Sequence, residues 1–250
     1  MSQLCVVIMA GGLGKRMRST LPKVVHKIQN KPMLVHVIEK AKTLNPLQIM
    51  IVVGKYETVI KEILSEYMDI NTITFVKQPE SLGTGHAVMC CKYELEKYKN
   101  SHTLILSGDV PLLKSNTMRE MCKHVMGCKL LCTKVDNPYG YGRIKITNNK
   151  FNKIVEEKDC NDEEKEINLI NAGVYTFDTT ILCEYIKSLN CNNAAKEYYL
   201  TDIVEIIKDN VGDVISLCEL PKEKAIELSG VNTKEQLEEL NKQVENKDFS

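Results

Sequence analysis

Near the start of the chain, Gly11, Gly12 and Gly14 are followed by Lys15, Arg16 and Lys23, the last within Leu21-Pro22-Lys23. Glycines let backbone N–H groups approach an anion without Cβ interference. Lysine and arginine neutralise charge, and arginine can grip phosphate as a fork. The group suits a polyphosphate, although a plain tight turn after a strand draws on the same residues. The spacing is not Gly-x-x-x-x-Gly-Lys-Ser/Thr, which argues against a P-loop. Nor is it Gly-x-Gly-x-x-Gly, because Lys15-Arg16-Met17 follow Gly14. A dinucleotide loop also relies on a helix N-terminus more than on clustered cations.

Further polar residues stand just past apolar runs. Gln78 lies in Lys77-Gln78-Pro79-Glu80-Ser81-Leu82-Gly83-Thr84-Gly85-His86. Its amide has the donor and acceptor needed to read a base edge. Gly83, Thr84 and Gly85 could present N–H groups to that base, or Thr84 could cap a helix. Asp109, in Ser107-Gly108-Asp109-Val110-Pro111, could hold a hard cation such as Mg or cap a turn. Tyr139-Gly140-Tyr141-Gly142-Arg143 is a second glycine-rich turn. Glu156 and Asn171 interrupt apolar runs, and a buried Glu or Asn requires partners that sugar hydroxyls or an N-acetyl group could supply. Glu197-Tyr198-Tyr199-Leu200-Thr201-Asp202 and Gly230-Val231-Asn232 complete the set.

Something must bring these stretches together. The apolar run Cys5–Met9 feeds the first loop, and Gln48–Val53, Ile73–Val76, His102–Ser107 and Lys129–Val135 read as further strands. Between them, helical spacing predicts helices at Pro32–Ala41, Tyr56–Tyr67, Thr84–Tyr98 and Ser115–Met126, the first with proline in its opening turn. This alternation predicts an α/β, Rossmann-like, doubly wound and mostly parallel sheet. After residue 135 the pattern changes. Arg143–Thr147 and Lys150–Val155 predict a hairpin around Asn148-Asn149, followed by a strand at Leu169–Phe177. Helices near Thr179–Leu189 and Thr201–Asp209, and a strand at Val214–Glu219, come next. Leu237, Leu240 and Val244 share one face of a charged C-terminal helix, expected to dock by that narrow stripe. Ligands of open parallel sheets bind at the carboxyl ends of strands, which is where the polar residues above fall. No repeat or low-complexity linker divides the chain. It reads as one domain over 1–250: a first half 1–135, a β-rich second half 136–232 and a helix 233–250.

Composition narrows the partners. Thirty-three basic residues balance 33 acidic ones, so the chain as a whole has no pull toward nucleic acid or a membrane surface. The ten cysteines show no Cys-x-x-Cys pair, and Cys5, Cys132, Cys183 and Cys218 sit in apolar runs. They read as free thiols in a reducing, cytoplasmic setting. The N-terminus lacks a signal-peptide pattern, and no apolar run reaches transmembrane length. Small-molecule partners remain; the sequence does not set an oligomeric state.

Taken in order, the motifs from about Val7 to Asn232 resemble the sugar-1-phosphate nucleotidyltransferases, or sugar-nucleotide pyrophosphorylases. Within that family they are similar to the uridyltransferase domains of bacterial bifunctional N-acetylglucosamine-1-phosphate enzymes. The carriers are Ala10 to Met17, Leu21-Pro22-Lys23, Leu82-Gly83-Thr84-Gly85-His86-Ala87, Gly108-Asp109-Val110-Pro111 and Gly140-Tyr141-Gly142-Arg143-Ile144. Ile154-Val155-Glu156-Glu157-Lys158-Asp159, Glu197-Tyr198-Tyr199 with Thr201-Asp202, and Gly230-Val231-Asn232 add to them.

The resemblance implies Mg-dependent transfer of UMP from UTP to N-acetylglucosamine 1-phosphate, releasing pyrophosphate. It implies that Ala10, Gly11, Gly12, Gly14 and Arg16 hold the triphosphate, with Arg16 and Lys23 acting at the reacting phosphates. Gln78, Gly83 and Thr84 would read uracil, and Asp109 and Asn232 would be the protein ligands of Mg. Gly142, Glu156, Asn171 and Thr201 would hold the sugar and its N-acetyl group. Lys15 stands where the family tends to carry Thr or Ser. Ala10-Gly11-Gly12 and Asn171-Ala172-Gly173 also depart from the bacterial Ala-Ala-Gly and Asn-Thr-Gly. Bifunctional relatives continue into an acetyltransferase domain, whereas for these 250 residues no acetyltransferase activity is expected. A different sugar or base, or a non-catalytic nucleotide-sugar-binding regulator, is the alternative; retention of Arg16, Lys23 and Asp109 argues against the regulator.

Overall fold

The computed structural model describes residues 3–12 and 14–245, except the Lys15 side chain. The direction of Lys15 and the 246–250 end of the expected C-terminal helix therefore lie outside the described residues. In chain order the strands begin with β1 (Leu4–Met9), β2 (Lys27–Ile28), β3 (Lys31–Pro32), β4 (Gln48–Val53), β5 (Ile73–Lys77) and β6 (His102–Ser107). They continue with β7 (Cys128–Lys134), β8 (Gly142–Thr147), β9 (Lys150–Val155), β10 (Leu169–Asp178) and β11 (Ile215–Glu219). The helices begin with α1 (Met33–Lys42), α2 (Glu57–Ser65), α3 (Thr84–Cys90), α4 (Lys92–Leu95) and α5 (Ser115–Met121). Then come α6 (Asp162–Lys165), α7 (Thr179–Tyr185), α8 (Asp202–Val211) and α9 (Lys234–Glu245).

The main sheet runs β11-β7-β10-β6-β1-β4-β5. β1 pairs in parallel with β4 and β6, β4 with β5, and β7 with β11. β10 is antiparallel to both its neighbours, β6 and β7. Alternate residues of β1 explain its unbroken apolar run. Val6 and Ile8 join a core with α1, α2 and α5, whereas Cys5 and Val7 join another with α3, α7 and α8. With helices on both faces, no strand residue there can be polar cheaply. Cys5, Cys128, Cys132 and Cys183 serve as small core residues.

Several expected boundaries shift for local reasons. Pro32 occupies the N-cap of α1, with extended ψ and a place in β3, rather than the first helical turn. The expected Thr84–Tyr98 helix divides into α3, α4 and a 3-10 turn at Glu96–Tyr98. Helix α5 stops at Met121, and His124 beyond it adopts a left-handed φ of 52°. The β8–β9 hairpin forms as expected, with Asn148 and Asn149 at φ 52° and 59°. Two successive positive-φ residues match the twist of a tight hairpin turn.

The larger surprise is β10. A strand from the second half lies inside the sheet between β6 and β7, so the two halves share one hydrogen-bonded layer. At the edge, Leu240 of α9 packs with Met17, Ile28, Met33 and Val231. The apolar stripe of the C-terminal helix thereby docks beside the first glycine-rich loop, with Leu237 against the same cluster and Val244 also buried.

Candidate active site

The carboxyl ends of β1, β5 and β6 release the loops that carry Arg16, Gln78 and Asp109. Gly14 takes φ 57°, and a Cβ there would stand 2.8 Å from the Lys23 Cβ. Its backbone thus passes where a side chain would not fit. The loop closes through Met17 N–H to the Gly14 carbonyl at 2.9 Å, and Met17 is fully buried under Val231 and Leu240. Anchoring Met17 leaves its neighbour Arg16 outside, where its guanidinium donates to Asn232 Oδ1 at 3.1 Å.

Lys23 donates to Asn232 Oδ1 at 2.9 Å and is ion-paired with Asp109 Oδ2. Asp109 is itself oriented by Ser107, whose hydroxyl donates to Oδ1 at 2.6 Å. Val231 N–H donates to the Asp109 carbonyl at 3.0 Å, binding the late loop to the early one. A capping box then fixes Asn232 to α9. Gln236 Oε1 accepts from Asn232 N–H at 2.7 Å and Thr233 N–H at 3.2 Å, while Thr233 Oγ1 accepts Gln236 N–H at 3.2 Å. Arg16, Lys23, Asp109 and Asn232 therefore meet in one place.

The donor set there fits a hard divalent cation. A carboxylate oxygen and an amide oxygen already converge on a single cation, the Lys23 ammonium. Two protein oxygens are few, which suits an ion completed by substrate phosphate and water. No cluster of three or more His, Cys, Asp or Glu suited to a metal occurs among the described residues.

A second group lies past β5. Gln78 is buried, and its Nε2 donates to the Gly83 carbonyl at 3.1 Å. With the amino end so used, Oε1 faces Gly11; a Cβ on Gly11 would stand 3.0 Å from it. Gly83 has φ 110°, and a Cβ there would meet the Tyr198 carbonyl at 2.6 Å. The segment is stitched to a distant one by Tyr198 N–H to Leu82 O at 2.8 Å and Gly85 N–H to Tyr198 O at 2.8 Å. Thr84 does not cap α3, whose N-cap is Gly83. Its hydroxyl instead accepts Leu200 N–H at 3.1 Å, fastening the stretch before Thr201.

That stitching delivers Thr201 to the third group. Thr201 donates to Glu156 Oε1 at 2.9 Å, and the other carboxylate oxygen lies beside Gly142. Asn171 is the cross-strand partner of Gly142. Its side chain donates to Tyr175 Oη at 2.6 Å and accepts Gly173 N–H at 3.2 Å. Gly173 has φ 70° and the register of β10 shifts between Asn171 and Tyr175, so Asn171-Ala172-Gly173 forms a bulge. Gly142, Glu156, Asn171 and Thr201 are thus neighbours. Burial pushes the Glu156 carboxyl up; the Thr201 hydrogen bond opposes this and the charge of Asp159 adds to it. Asp202 is pushed up to about 6, first by burial and then by Glu156. Tyr199 rises to about 12, chiefly through burial.

Ser107 and Asp202 stand within the motifs read from the sequence but were given no role, and Tyr175 and the clamp behind the second turn were missed. In that clamp, buried Arg143 donates to the Tyr141 carbonyl and, at 2.7 Å, to Glu157 Oε2. Glu157 Oε2 also accepts Gly140 N–H at 2.8 Å. The fork therefore sets the peptides leading into Gly142. Only the Gly-x-Gly-Arg spacing hinted at it.

A doubly wound sheet that gathers a glycine-rich loop with Arg16, Lys23, Asp109 and Asn232 at its strand ends is an architecture suited to a nucleotide-binding transferase. Residues 5–219 match the model of the nucleotidyl transferase family, and the chain belongs to that family. It is 41% identical over 241 residues to a protein of Acanthamoeba polyphaga mimivirus named as a UDP-N-acetylglucosamine pyrophosphorylase, covering 94% of each chain. It is 41% identical over 240 residues to the bifunctional protein GlmU of Clostridium botulinum, covering 94% of this chain and 50% of that one. With GlmU of Streptococcus agalactiae the identity is 40% over 208 residues, 81% of this chain and 44% of that one. The chain thus spans about half the length of these bacterial relatives. A Bacillus anthracis structure described as a glucose-1-phosphate thymidylyltransferase shares the fold, with TM-score 0.71, 22% identity and coverage of 99% and 97%. The activity class is sugar-1-phosphate nucleotidyl transfer. No helix among the described residues is long and apolar enough to cross a membrane.

Proposed function

We propose that the chain transfers UMP from UTP to N-acetylglucosamine 1-phosphate with Mg, in the cytoplasm, giving UDP-N-acetylglucosamine and pyrophosphate. The observation that carries this reading is the convergence of Arg16, Lys23, Asp109 and Asn232 on one point at the strand ends. The names of the mimivirus and bacterial relatives support the choice of sugar and base.

The residues divide the work. A phosphate oxygen of the sugar phosphate attacks the α-phosphorus of UTP; a new P–O bond forms, and the bond to the β-phosphate bridging oxygen breaks. That nucleophile is already an anion, so alignment and charge neutralisation matter more than a general base. Lys23 and Arg16 supply the neutralisation, and the Gly11–Gly14 backbone cradles the phosphates. Asp109 and Asn232 would hold Mg, which when bound offsets phosphate charge and orients the reacting groups. Gln78 Oε1, with its amino group held by Gly83, is left to accept the uracil N–H. Glu156, Thr201, Asn171 and the Gly142 backbone hold the sugar hydroxyls and acetamido group. Incubation with UTP, Mg and N-acetylglucosamine 1-phosphate should release pyrophosphate, and its absence would sink the proposal.

A further inference from the structure

Glu227 is a carboxylate outside the proposed substrate site, only 2% exposed, and its hydrogen-bond partners Lys114 and Thr117 are distant in sequence. Taking a carboxylate out of water costs several kcal/mol unless its oxygens are well paired. Here one oxygen is doubly used. Glu227 Oε2 accepts the Lys114 backbone N–H at 3.1 Å and the buried Thr117 hydroxyl at 2.6 Å. Lys114 and Thr117 lie just beyond the loop of Asp109. Glu227 itself is the next-to-last residue of the 3-10 turn Lys222–Leu228, which leads into Ser229-Gly230-Val231-Asn232. Lys40 completes the arrangement. Its ammonium donates to the Pro111 carbonyl at 2.6 Å and is favourably placed toward the Glu227 charge.

The geometry points to Glu227 as a positioning residue that fixes the separation of Asp109 from Asn232 and thereby sets metal affinity. The two loops are joined at two points: Val231 N–H to Asp109 O near the site, and Glu227 to Lys114 and Thr117 behind it. One tie alone leaves a hinge. Two ties hold the carboxylate and amide oxygens in register for one ion. This inference rests on the proposed metal role of Asp109 and Asn232. It adds that the affinity is set from behind the site, by a residue that touches neither substrate nor metal.

The test is Mn2+ binding to the full chain in the presence of UTP, followed by electron paramagnetic resonance of the free ion. Mn2+ takes the same oxygen ligands as Mg. Glu227→Gln keeps the shape and removes the charge, and Thr117→Val removes one tie. Each variant should raise the Mn2+ Kd about tenfold, at the low end of outer-shell effects on metal affinity. UTP affinity without metal should not move. A generic packing role would lower Tm while leaving the Mn2+ Kd where it was, and that result overturns the inference. If Glu227→Gln does not fold, Thr117→Val decides on the same reading. A wild-type chain that binds no Mn2+ with UTP overturns the metal reading and this inference with it. Tight wild-type binding with an unmoved variant overturns this inference alone.

Discussion

The two walls of the site handle charge in opposite ways. On the proposed phosphate side, exposed Arg16 and half-buried Lys23 meet Asp109 and Asn232, with cations and oxygen donors in direct contact. On the other side, Glu156, Asp159 and Asp202 crowd together, and burial drives Glu156 and Asp202 toward their neutral forms. The first wall is suited to highly charged phosphates. The second, poor in compensating cations, is suited to neutral hydroxyl and amide groups, which donate to a carboxylate and accept from a protonated carboxyl without adding charge. Their assembly differs as well. The phosphate wall draws on residues 16 to 232 through backbone ties, whereas the other wall is built on the β8–β9–β10 ladder and the start of α8.

Breaking the phosphate wall should have the largest effect. Lys23→Ala is expected to reduce kcat by about 100- to 1,000-fold, the range for losing one donor to developing charge. Circular dichroism should show the fold retained, and an unaltered turnover would remove Lys23 from the chemistry. Asp109→Asn should raise the Mg concentration for half-maximal rate by at least about tenfold. A superimposable Mg titration would contradict its ligand role.

Changes in the opposite wall should fall on the sugar phosphate. Thr201→Val removes the donor to Glu156 and should raise KM for the sugar phosphate about tenfold, the loss of one hydrogen bond to a charged group. KM for UTP should stay put; equal movement of both constants would show that the two walls are not separate.

The smallest effect is on stability. Burial pushes the Asp202 carboxyl up to about 6 in the fold, well above the ordinary aspartate range. An acid whose folded pKa is raised binds a proton more readily when folded, so its charge costs stability above the folded pKa. That cost fades as pH falls from about 6 toward about 4 and is gone only below the ordinary aspartate range, where both states are protonated. Asp202→Asn should therefore raise Tm by about 2–4 °C at pH 7.5, and by less at pH 4.5. A gain that is the same at both pH values would show that Asp202 does not carry this penalty.

The contrast also explains what the sequence could show. Buried parallel strands appear as apolar runs because both faces are covered, so β1, β4 and β6 stand out. The insertion of β10 between β6 and β7 leaves no local trace, since periodicity encodes faces and not neighbours. Ser107 is two residues from Asp109, yet an ordinary serine at a strand end gives no sign of its bond. Thr84 looks like a helix cap because caps are local; its actual partner, Leu200 N–H, is a tertiary contact. Glu227, 113 positions from Lys114, could be found only after folding.

The most direct test of a sugar wall built for an acetamido group is a comparison of two acceptors with UTP and Mg. The measurement is pyrophosphate release, giving kcat/KM for N-acetylglucosamine 1-phosphate and for glucose 1-phosphate. A ratio of at least about 100 is expected, because a site that hydrogen-bonds a group strongly rejects an analogue lacking it. A ratio at or below one would contradict the proposed substrate while leaving the nucleotidyl-transfer class intact.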